Sequence, residues 1–172
     1  NINIGDFEKI YDFINSNLIE LVVVGPEEPL VNGIVNFLSD KNIKVFGPDK
    51  FAAQLEGSKG FMKDLCKQNN IPTATYEKFS NLETAMKYIE NQSFPIVIKA
   101  NGLAAGKGVT IAKDKKTAED ALQDIFNGKF GHGMDVVIEE FMDGEEASYF
   151  VCCDGQDFIS LESAQDHKRI GE

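Results

Sequence analysis

Residues 95–109 read PIVIKANGLAAGKGV, a short apolar run that ends on Lys99 and passes into a loop of small residues and glycines. The chain resumes as VTIA at residues 109–112, so we predict two β-strands joined by a loop with little side-chain bulk. Backbone N–H groups in such a loop can approach a phosphate chain closely, while Lys99 and Lys107 place positive charge at its base and tip. The stretch therefore predicts a nucleotide-phosphate site.

Two known phosphate loops fit this stretch imperfectly. The Walker pattern places four residues between its glycines, whereas only three separate Gly102 from Gly106. The pattern's lysine is followed by Ser or Thr, which coordinates Mg²⁺, but Gly108 follows Lys107 here. A Rossmann fingerprint needs a helix after the loop, where this sequence predicts a strand. A flexible hairpin with solvated lysines stays open as the alternative interpretation.

The composition is that of an ordinary globular protein, with 172 residues of which 42% are hydrophobic and 26% charged. The net charge of −11 argues against general binding to nucleic acid or to an anionic membrane. We find no apolar run long enough to span a membrane and no signal-peptide pattern. The three cysteines lack metal-ligand spacing, so we expect buried, reduced thiols, no zinc site and a cytoplasmic protein.

The first 57 residues predict a doubly wound α/β arrangement, in which helices alternate with parallel strands. We expect an Asp6-capped helix, a strand at 21–24 covered on both faces, a helix at 30–40, a strand at 43–46 and a short helix at 50–56. Two strands are few for a free-standing sheet, so this N-terminal domain is expected to be incomplete.

The rest of the chain predicts a linking helix at 58–72, a small α+β lid at 73–140 and the start of a further sheet at 141–172. The expected helices are 59–68 capped by Ser58, 82–91 capped by Asn81, and one that Thr117 caps and that ends at residue 126. The expected strands are 73–79, 96–112 as a hairpin, 136–141, 147–153 and 158–161.

Paired glutamates are the first of four further features that could carry chemistry. Glu139 and Glu140 end an apolar strand, and consecutive strand residues face opposite sides. One carboxylate can therefore enter a cleft while the other meets solvent, although a strand that simply surfaces at its end is an equally good interpretation. Glu145 and Glu146 follow a tight turn and would alone be read as surface charge.

Lysines and a polar run supply the other two features. Lys59 and Lys63 lie one helical turn apart on one face, and a solvated face is the commoner meaning of that spacing. Residues 165–169 read QDHKR, a dense polar run that could bind an anion but is a weak signal in isolation.

Taken in order along the chain, the motifs resemble the ATP-grasp ligases and, within them, the glycinamide ribonucleotide synthetase family (phosphoribosylamine–glycine ligases). Each motif is weak alone, but the ordered set covers almost the whole chain and is specific. The motifs are VGPE at 24–27 with PL at 29–30, FGP at 46–48, AQLEGSK at 53–59, IPTA at 71–74, residues 96–109, VIEEF at 137–141, GEEAS at 144–148 and QDHKR at 165–169.

This resemblance implies an ATP-grasp fold and a ligase of purine biosynthesis. ATP would phosphorylate the carboxylate of glycine, and the amino group of 5-phosphoribosylamine would attack the acyl phosphate to give glycinamide ribonucleotide, ADP and phosphate. Catalysis of this kind depends on positioning and on charge neutralisation. The small-molecule partners would be ATP with Mg²⁺ (or Mn²⁺), glycine and 5-phosphoribosylamine.

The resemblance also assigns roles to individual residues. Lys59 and Lys99 would contact the ATP phosphates, with Lys63 as a secondary contact or, as we rather expect, a surface residue. A glycine flap would close over the phosphates and Glu139 would lie near the adenine amino group. The flap residues are Gly106, Lys107 and Gly108; Lys99 and Lys107 are the expected catalytic residues.

The remaining assignments concern the nucleoside and the second substrate. The backbone of Glu140, Phe141 and Met142 would read the adenine edge, and Glu146 (or Glu145) would hold the ribose. For the phosphoribosylamine side or the reaction centre, the candidates are Glu27, Asp166, His167, Lys168 and Arg169.

The chain departs from the family pattern in length, since members begin before Asn1 and continue past Glu172. We therefore expect the acidic Mg²⁺ ligands to lie outside this chain and name no metal ligand here. Two alternatives stay open: another ATP-grasp ligase, such as a biotin-dependent carboxylase, and a nucleotide-binding module that catalyses nothing.

Overall fold

The computed structural model describes residues 1–104 and 107–167 of the chain. The chain divides into two compact units, Asn1–Phe141 and Met142–Glu172. None of the helices within the described ranges is long and apolar enough to cross a membrane.

The first unit begins with a small α/β layer. Its elements are α1 (Phe7–Ser16), β1 (Val22–Val23), α2 (Glu27–Asn32), α3 (Ile34–Asp40), β2 (Val45–Phe46) and α4 (Gln54–Gly57). The two strands pair in parallel, and the Asp6 side chain caps α1 by accepting a hydrogen bond from the N–H of Lys9. Both expectations are confirmed. Ile14, Ile34, Val35 and Leu38 form the buried core of this layer.

Three details of this layer differ from the sequence-based expectation. The helix expected at 30–40 is two helices, because Gly33 adopts the left-handed conformation (φ +93°) between them. The first strand is not covered on both faces, since Val23 is 66% exposed. An apolar run indicates that a strand is suited to burial, but it does not show that another helix or strand packs on each of its faces. The helix expected at 50–56 starts only at Gln54, because the Asp49 side chain accepts the N–H of Ala52 in a preceding turn.

A four-stranded antiparallel sheet follows in the order β3-β6-β4-β5. The elements of this part are α5 (Lys59–Gln68), β3 (Tyr76–Phe79), α6 (Leu82–Ile89), β4 (Ile96–Ala100), β5 (Val109–Ala112), α7 (Lys115–Phe126) and β6 (Val136–Glu140). The predicted hairpin is confirmed: β4 and β5 are antiparallel partners on either side of the glycine loop. Ser58 caps α5 and Asn81 caps α6, as expected.

The two faces of this sheet differ in chemistry. One face is apolar and packs against α6 and α7, with Ile96, Ile98, Ala100, Val136 and Ile138 in the buried core. The alternating residues face the other way, so this second face carries Val97 and Lys99 from β4 together with Val137 and Glu139 from β6. The sheet thus presents the charged side chains of Lys99 and Glu139 on the face opposite α6 and α7.

The cap of α7 also differs from the sequence-based expectation. Asp114, not Thr117, is the N-cap, and its side chain accepts hydrogen bonds from both the backbone N–H (2.7 Å) and the hydroxyl (2.8 Å) of Thr117. The helix therefore begins at Lys115. Both Asp and Thr are favoured at helix N-caps, and the extended backbone conformation of Asp114 identifies it as the N-cap here.

The second unit is built from short antiparallel strands. These are β7 (Glu146–Ser148), β8 (Val151–Cys153), β9 (Phe158–Ser160) and β10 (Ala164–Asp166), with β7 paired to β10 and β8 to β9. The single strand expected at 147–153 is therefore two. The expectation of buried thiols is wrong as well: Cys153 is exposed and Cys66 and Cys152 are half-buried, although all three are free.

Candidate functional site

A buried carboxylate lies on the second face of the sheet, the face opposite α6 and α7, which we call the open face. Glu139 is only 5% exposed. Its Oε2 accepts a hydrogen bond from Lys99 Nζ at 2.8 Å and lies 3.1 Å from Lys63 Nζ. Its Oε1 is buried and accepts no hydrogen bond from residues 1–104 or 107–167. Buried carboxylate oxygens are normally paired, so this atom is a candidate acceptor for a ligand N–H group.

Strand register explains how Lys99 reaches Glu139. In the β4–β6 pair, Val97 is opposite Glu139 and Lys99 is opposite Val137. Lys99 and Glu139 are therefore diagonal neighbours on the same face. Long side chains can span the separation between such positions. The prediction that the two glutamates face opposite sides is confirmed, because Glu140 is exposed.

Lys63 contradicts our expectation of a surface residue. It is 2% exposed. Besides its ion pair with Glu139, its Nζ donates to Thr73 Oγ1 at 2.8 Å and to the carbonyl of Ala74 at 3.2 Å. The four-residue spacing from Lys59 correctly placed both lysines on one helical face, but that face packs on the sheet instead of meeting solvent.

Side chains of α5 and β3 hold the helix on the sheet. The Tyr76 hydroxyl donates to Asp64 Oδ1 at 2.7 Å, and Lys78 pairs with the other oxygen of Asp64. Burial, followed by this hydrogen bond, raises the pKa of Tyr76 to about 12. A phenol is protonated at neutral pH and donates this hydrogen bond, and the contacts of Asp64 with Tyr76 and Lys78 link α5 to the sheet.

Lys59 lies at the same cluster and binds the root of the glycine loop. Its Nζ donates to the carbonyl of Gly102 at 2.8 Å. Burial lowers the pKa of Lys59 below its usual value; Glu56 opposes this effect, the charge of Lys99 adds to it, and Glu139 opposes it. The structure therefore brings Lys59, Lys63 and Lys99 together around one carboxylate. Because cations outnumber the anion, the cluster suits a polyanionic ligand.

Asn101 joins the helix to the strand, and sequence reasoning missed it. Its Oδ1 accepts a hydrogen bond from the N–H of Gly60 at 3.0 Å and from the Ser58 hydroxyl at 3.2 Å. Its own N–H donates to the carbonyl of Asp135 at 2.9 Å. These contacts fix the start of α5, and with it Lys59, relative to the end of β4. An asparagine between a strand and a glycine is ordinary turn chemistry, so the sequence carried no signal of this role.

The glycine loop is described in part. Gly106 lies outside the described residues, Lys107 is exposed, and its N–H donates to the carbonyl of Ala104. Gly108 is buried at the end of the hairpin, where its carbonyl accepts the N–H of Ala100. A Cβ at Gly108 would lie 2.6 Å from that of Ala104, so this position needs glycine for packing. The flap role of these residues stays a prediction.

Glu140 is engaged with the segment before β3. Its N–H donates to the carbonyl of Thr75, and its Oε1 accepts the N–H of Thr75, both at 3.0 Å. That backbone donor lowers the pKa of the Glu140 carboxyl. The Glu140 N–H is thus occupied by Thr75, and the adenine contacts predicted for the backbone of Glu140, Phe141 and Met142 stay a prediction.

The other predicted residues lie in other parts of the sequence, and their roles stay predictions. Glu27 is exposed in the first turn of α2. In the second unit, Glu146 and Asp166 are cross-strand partners and His167 is exposed. Lys168 and Arg169 lie outside the described residues.

The described part of the chain offers no metal site. Within residues 1–104 and 107–167, no group of three or more His, Cys, Asp or Glu side chains converges to hold an ion. The cluster around Glu139 is rich in lysine, which repels cations, so these residues do not fit a Mg²⁺ site of their own.

Comparison with known proteins gives consistent matches along the whole chain. Residues 1–56 match the family model "Phosphoribosylglycinamide synthetase, N domain", and residues 57–172 match "Phosphoribosylglycinamide synthetase, ATP-grasp (A) domain". A curated relative from Mesorhizobium japonicum, phosphoribosylamine--glycine ligase, is 54% identical over 99% of this chain and 40% of its own length. The chain thus spans about 40% of the length of the curated relatives it matches.

Solved structures agree with these matches. The crystal structure of phosphoribosylamine--glycine ligase from Thermotoga maritima is similar with a TM-score of 0.73 and 37% identity, over 87% of this chain and 37% of that chain. Biotin carboxylase from Campylobacter jejuni is similar with a TM-score of 0.77 and 19% identity, over 93% of this chain and 37% of that chain. At that identity, the second likeness shows the fold alone.

Replacing Glu139 with alanine should lower the free energy of unfolding by about 3–5 kcal/mol, because the buried ammonium of Lys63 loses its counter-charge. Urea denaturation followed by circular dichroism measures the loss. Glu140→Ala is the matched control: the next residue on the same strand is exposed, and its replacement should cost much less stability. Equal losses in the two variants would show that the buried ion pairs do not stabilise the sheet.

Proposed function

The chain belongs to the phosphoribosylglycinamide synthetase family and has the fold of the ATP-grasp proteins, and we propose on this basis that the protein joins glycine to 5-phosphoribosylamine at the expense of ATP. The γ-phosphoryl group of ATP passes to a carboxylate oxygen of glycine, which gives glycyl phosphate and ADP. The amine nitrogen of phosphoribosylamine then attacks the acyl carbon, and phosphate leaves with the former carboxylate oxygen. The products are glycinamide ribonucleotide, ADP and phosphate.

The observation that carries this proposal is the match of the whole chain to curated relatives of one name. Identity of 54% extends over 99% of the chain, so it includes both the N domain and the lysine cluster. For the rival reading as a biotin-dependent carboxylase, the support is likeness to biotin carboxylase structures at 19% and 21% identity, which shows the fold alone. Measurement of ADP release with glycine and phosphoribosylamine distinguishes the ligase from a nucleotide-binding module without catalysis.

Lys59 and Lys99 are the residues proposed to contact the ATP phosphates. Both lysines are partly exposed. The Lys59 ammonium donates to the carbonyl oxygen of Gly102, and the Lys99 ammonium donates to a carboxylate oxygen of Glu139. The phosphate oxygens of ATP are negatively charged acceptors that both donors can bind. Nucleotide binding would therefore replace these internal partners, and the lysines would neutralise charge on the transferred phosphoryl group.

The open face of the sheet offers a surface for the adenine ring next to these lysines. Val109 is 45% and Ile111 39% exposed, on the strand beside Lys99 and Val97. An aromatic base packs favourably on such aliphatic side chains. The buried Oε1 of Glu139 would then accept the adenine amino group, which agrees with the role predicted for Glu139.

The remaining roles follow the family resemblance. Lys107 with Gly106 and Gly108 would close over the phosphates and exclude water. The ribose would be held by Glu146, and the second substrate by Glu27, Asp166, His167, Lys168 and Arg169. The bound Mg²⁺ would supply charge neutralisation between the ATP phosphates. Free thiols at all three cysteines fit a cytoplasmic enzyme.

ADP release by the full-length protein should require glycine and phosphoribosylamine together with ATP and Mg²⁺. Neither substrate alone should support more than a small fraction of this turnover, and bicarbonate should not replace glycine. A coupled assay for ADP measures the rate, and mass spectrometry identifies the amide product. Glycine-independent turnover, or turnover with bicarbonate, would contradict the proposal.

Lys99→Ala should abolish ATP binding while the protein stays folded, because Glu139 keeps Lys63 as its counter-ion. Isothermal titration calorimetry measures the affinity, and a thermal melt checks the fold. Lys113→Ala is the control, since this lysine is exposed just beyond the far end of the hairpin. Unchanged affinity in Lys99→Ala would mean that the lysine and the adjoining loop are structural.

A further inference from the structure

Lys63 cannot offer its charge to a ligand in the observed arrangement. An ammonium group has three N–H donors. Those of Lys63 have three partners, Thr73 Oγ1, the Ala74 carbonyl and Glu139 Oε2, and the side chain is 3% exposed. The Nζ also lies 5.8 Å from the ring centroid of Tyr76. A saturated, enclosed cation of this kind acts on its neighbours and not on a bound phosphate.

The two lysines on Glu139 differ sharply in their freedom to move. Both approach the same oxygen, Oε2, but the Lys99 side chain is 24% exposed and that of Lys63 only 3%. In the described residues, the ion pair with Glu139 is the polar contact that fixes the Lys99 ammonium, whereas Lys63 is also held by the backbone and hydroxyl of residues 73 and 74. Lys99 can therefore leave Glu139 more easily than Lys63 can.

The charge balance of Glu139 sets the cost of that movement. If Lys99 were the sole partner of this buried carboxylate, its departure would leave an uncompensated charge in a dry environment, which is strongly unfavourable. With Lys63 in place, Glu139 keeps one cation whichever way Lys99 points. The same balance prevents the opposite problem, in which Lys99 is bound so tightly to Glu139 that phosphate cannot compete for it.

We propose that Lys63 is a positioning residue: it is the permanent counter-charge of Glu139, and it thereby allows Lys99 to exchange Glu139 for the phosphates of a bound nucleotide. This inference rests on the proposed function and extends it to a residue that touches neither nucleotide nor substrate. It differs from a role of Lys63 as a phosphate contact, and from a role in stability alone.

The test is a double-mutant cycle on the full-length protein, with Mg·ADP as the ligand and calorimetry as the measurement. Lys63→Met keeps the apolar stem and removes the charge, which leaves Lys99 as the one cation on Glu139. We expect the dissociation constant to rise by at least about tenfold in the folded variant. Lys67→Met, one turn along the same helix at an exposed position, should bind within about twofold of wild type.

The Glu139→Gln background separates the explanations. In Glu139→Gln, residue 139 is neutral, so Lys99 no longer has to break an ion pair to reach phosphate. The double variant Lys63→Met/Glu139→Gln should therefore bind Mg·ADP with a dissociation constant within about twofold of that of Glu139→Gln. If the double variant binds more weakly than Glu139→Gln, Lys63 contacts the phosphates and the proposal is wrong. This comparison tests the phosphate-contact explanation even if Lys63→Met alone fails to fold, because the double variant contains neither buried charge.

Two further outcomes have distinct meanings. If Lys63→Met is folded and less stable but binds Mg·ADP as wild type does, its role is in stability alone, and the inference is overturned while the proposed function stands. If the wild-type protein binds no Mg·ADP, the proposed function fails and the inference fails with it.

Discussion

A carboxylate removed from water must have a positive partner, and this constraint organises the site. Glu139 is buried on the open face of the antiparallel sheet, where Lys99 from the neighbouring strand and Lys63 from the covering helix both reach its Oε2. An isolated buried charge would cost several kcal/mol, and the two ion pairs offset that cost. The lysines that this arrangement gathers then exceed what Glu139 requires, and the excess positive charge is what a polyphosphate can use.

The fold delivers this arrangement by giving the sheet two unlike faces. Alternation along β4 places Ile96, Ile98 and Ala100 in the core under α6 and α7, and Val97 and Lys99 on the opposite side. Helix α5 is held over that side by its Ser58 cap, by the Asn101 side chain and by the Tyr76–Asp64 hydrogen bond. Lys59 and Lys99, the residues proposed to contact phosphate, therefore stand on regular elements, α5 and β4.

Much of this could be read from the sequence, because the signals involved are local. The hairpin, the helix beginning after Ser58 and the opposite facing of the two glutamates follow from periodicity and capping, and the structure agrees. The motif order led to the family, which the comparisons establish. Prediction failed where the answer depends on what packs against an element. The spacing of Lys59 and Lys63 defined a helical face but not its neighbour, so Lys63 was expected at the surface and is buried.

The central claim is that Lys99 moves between Glu139 and the nucleotide while Lys63 stays. A crystal structure of the full-length protein with Mg²⁺ and a non-hydrolysable ATP analogue tests it most directly. We predict Lys99 Nζ within about 3 Å of a phosphate oxygen and no longer bonded to Glu139, with Lys63 Nζ still on Glu139 Oε2. A complex in which Lys63 binds the phosphates, or in which Lys99 remains on Glu139 and touches no phosphate, would contradict the account.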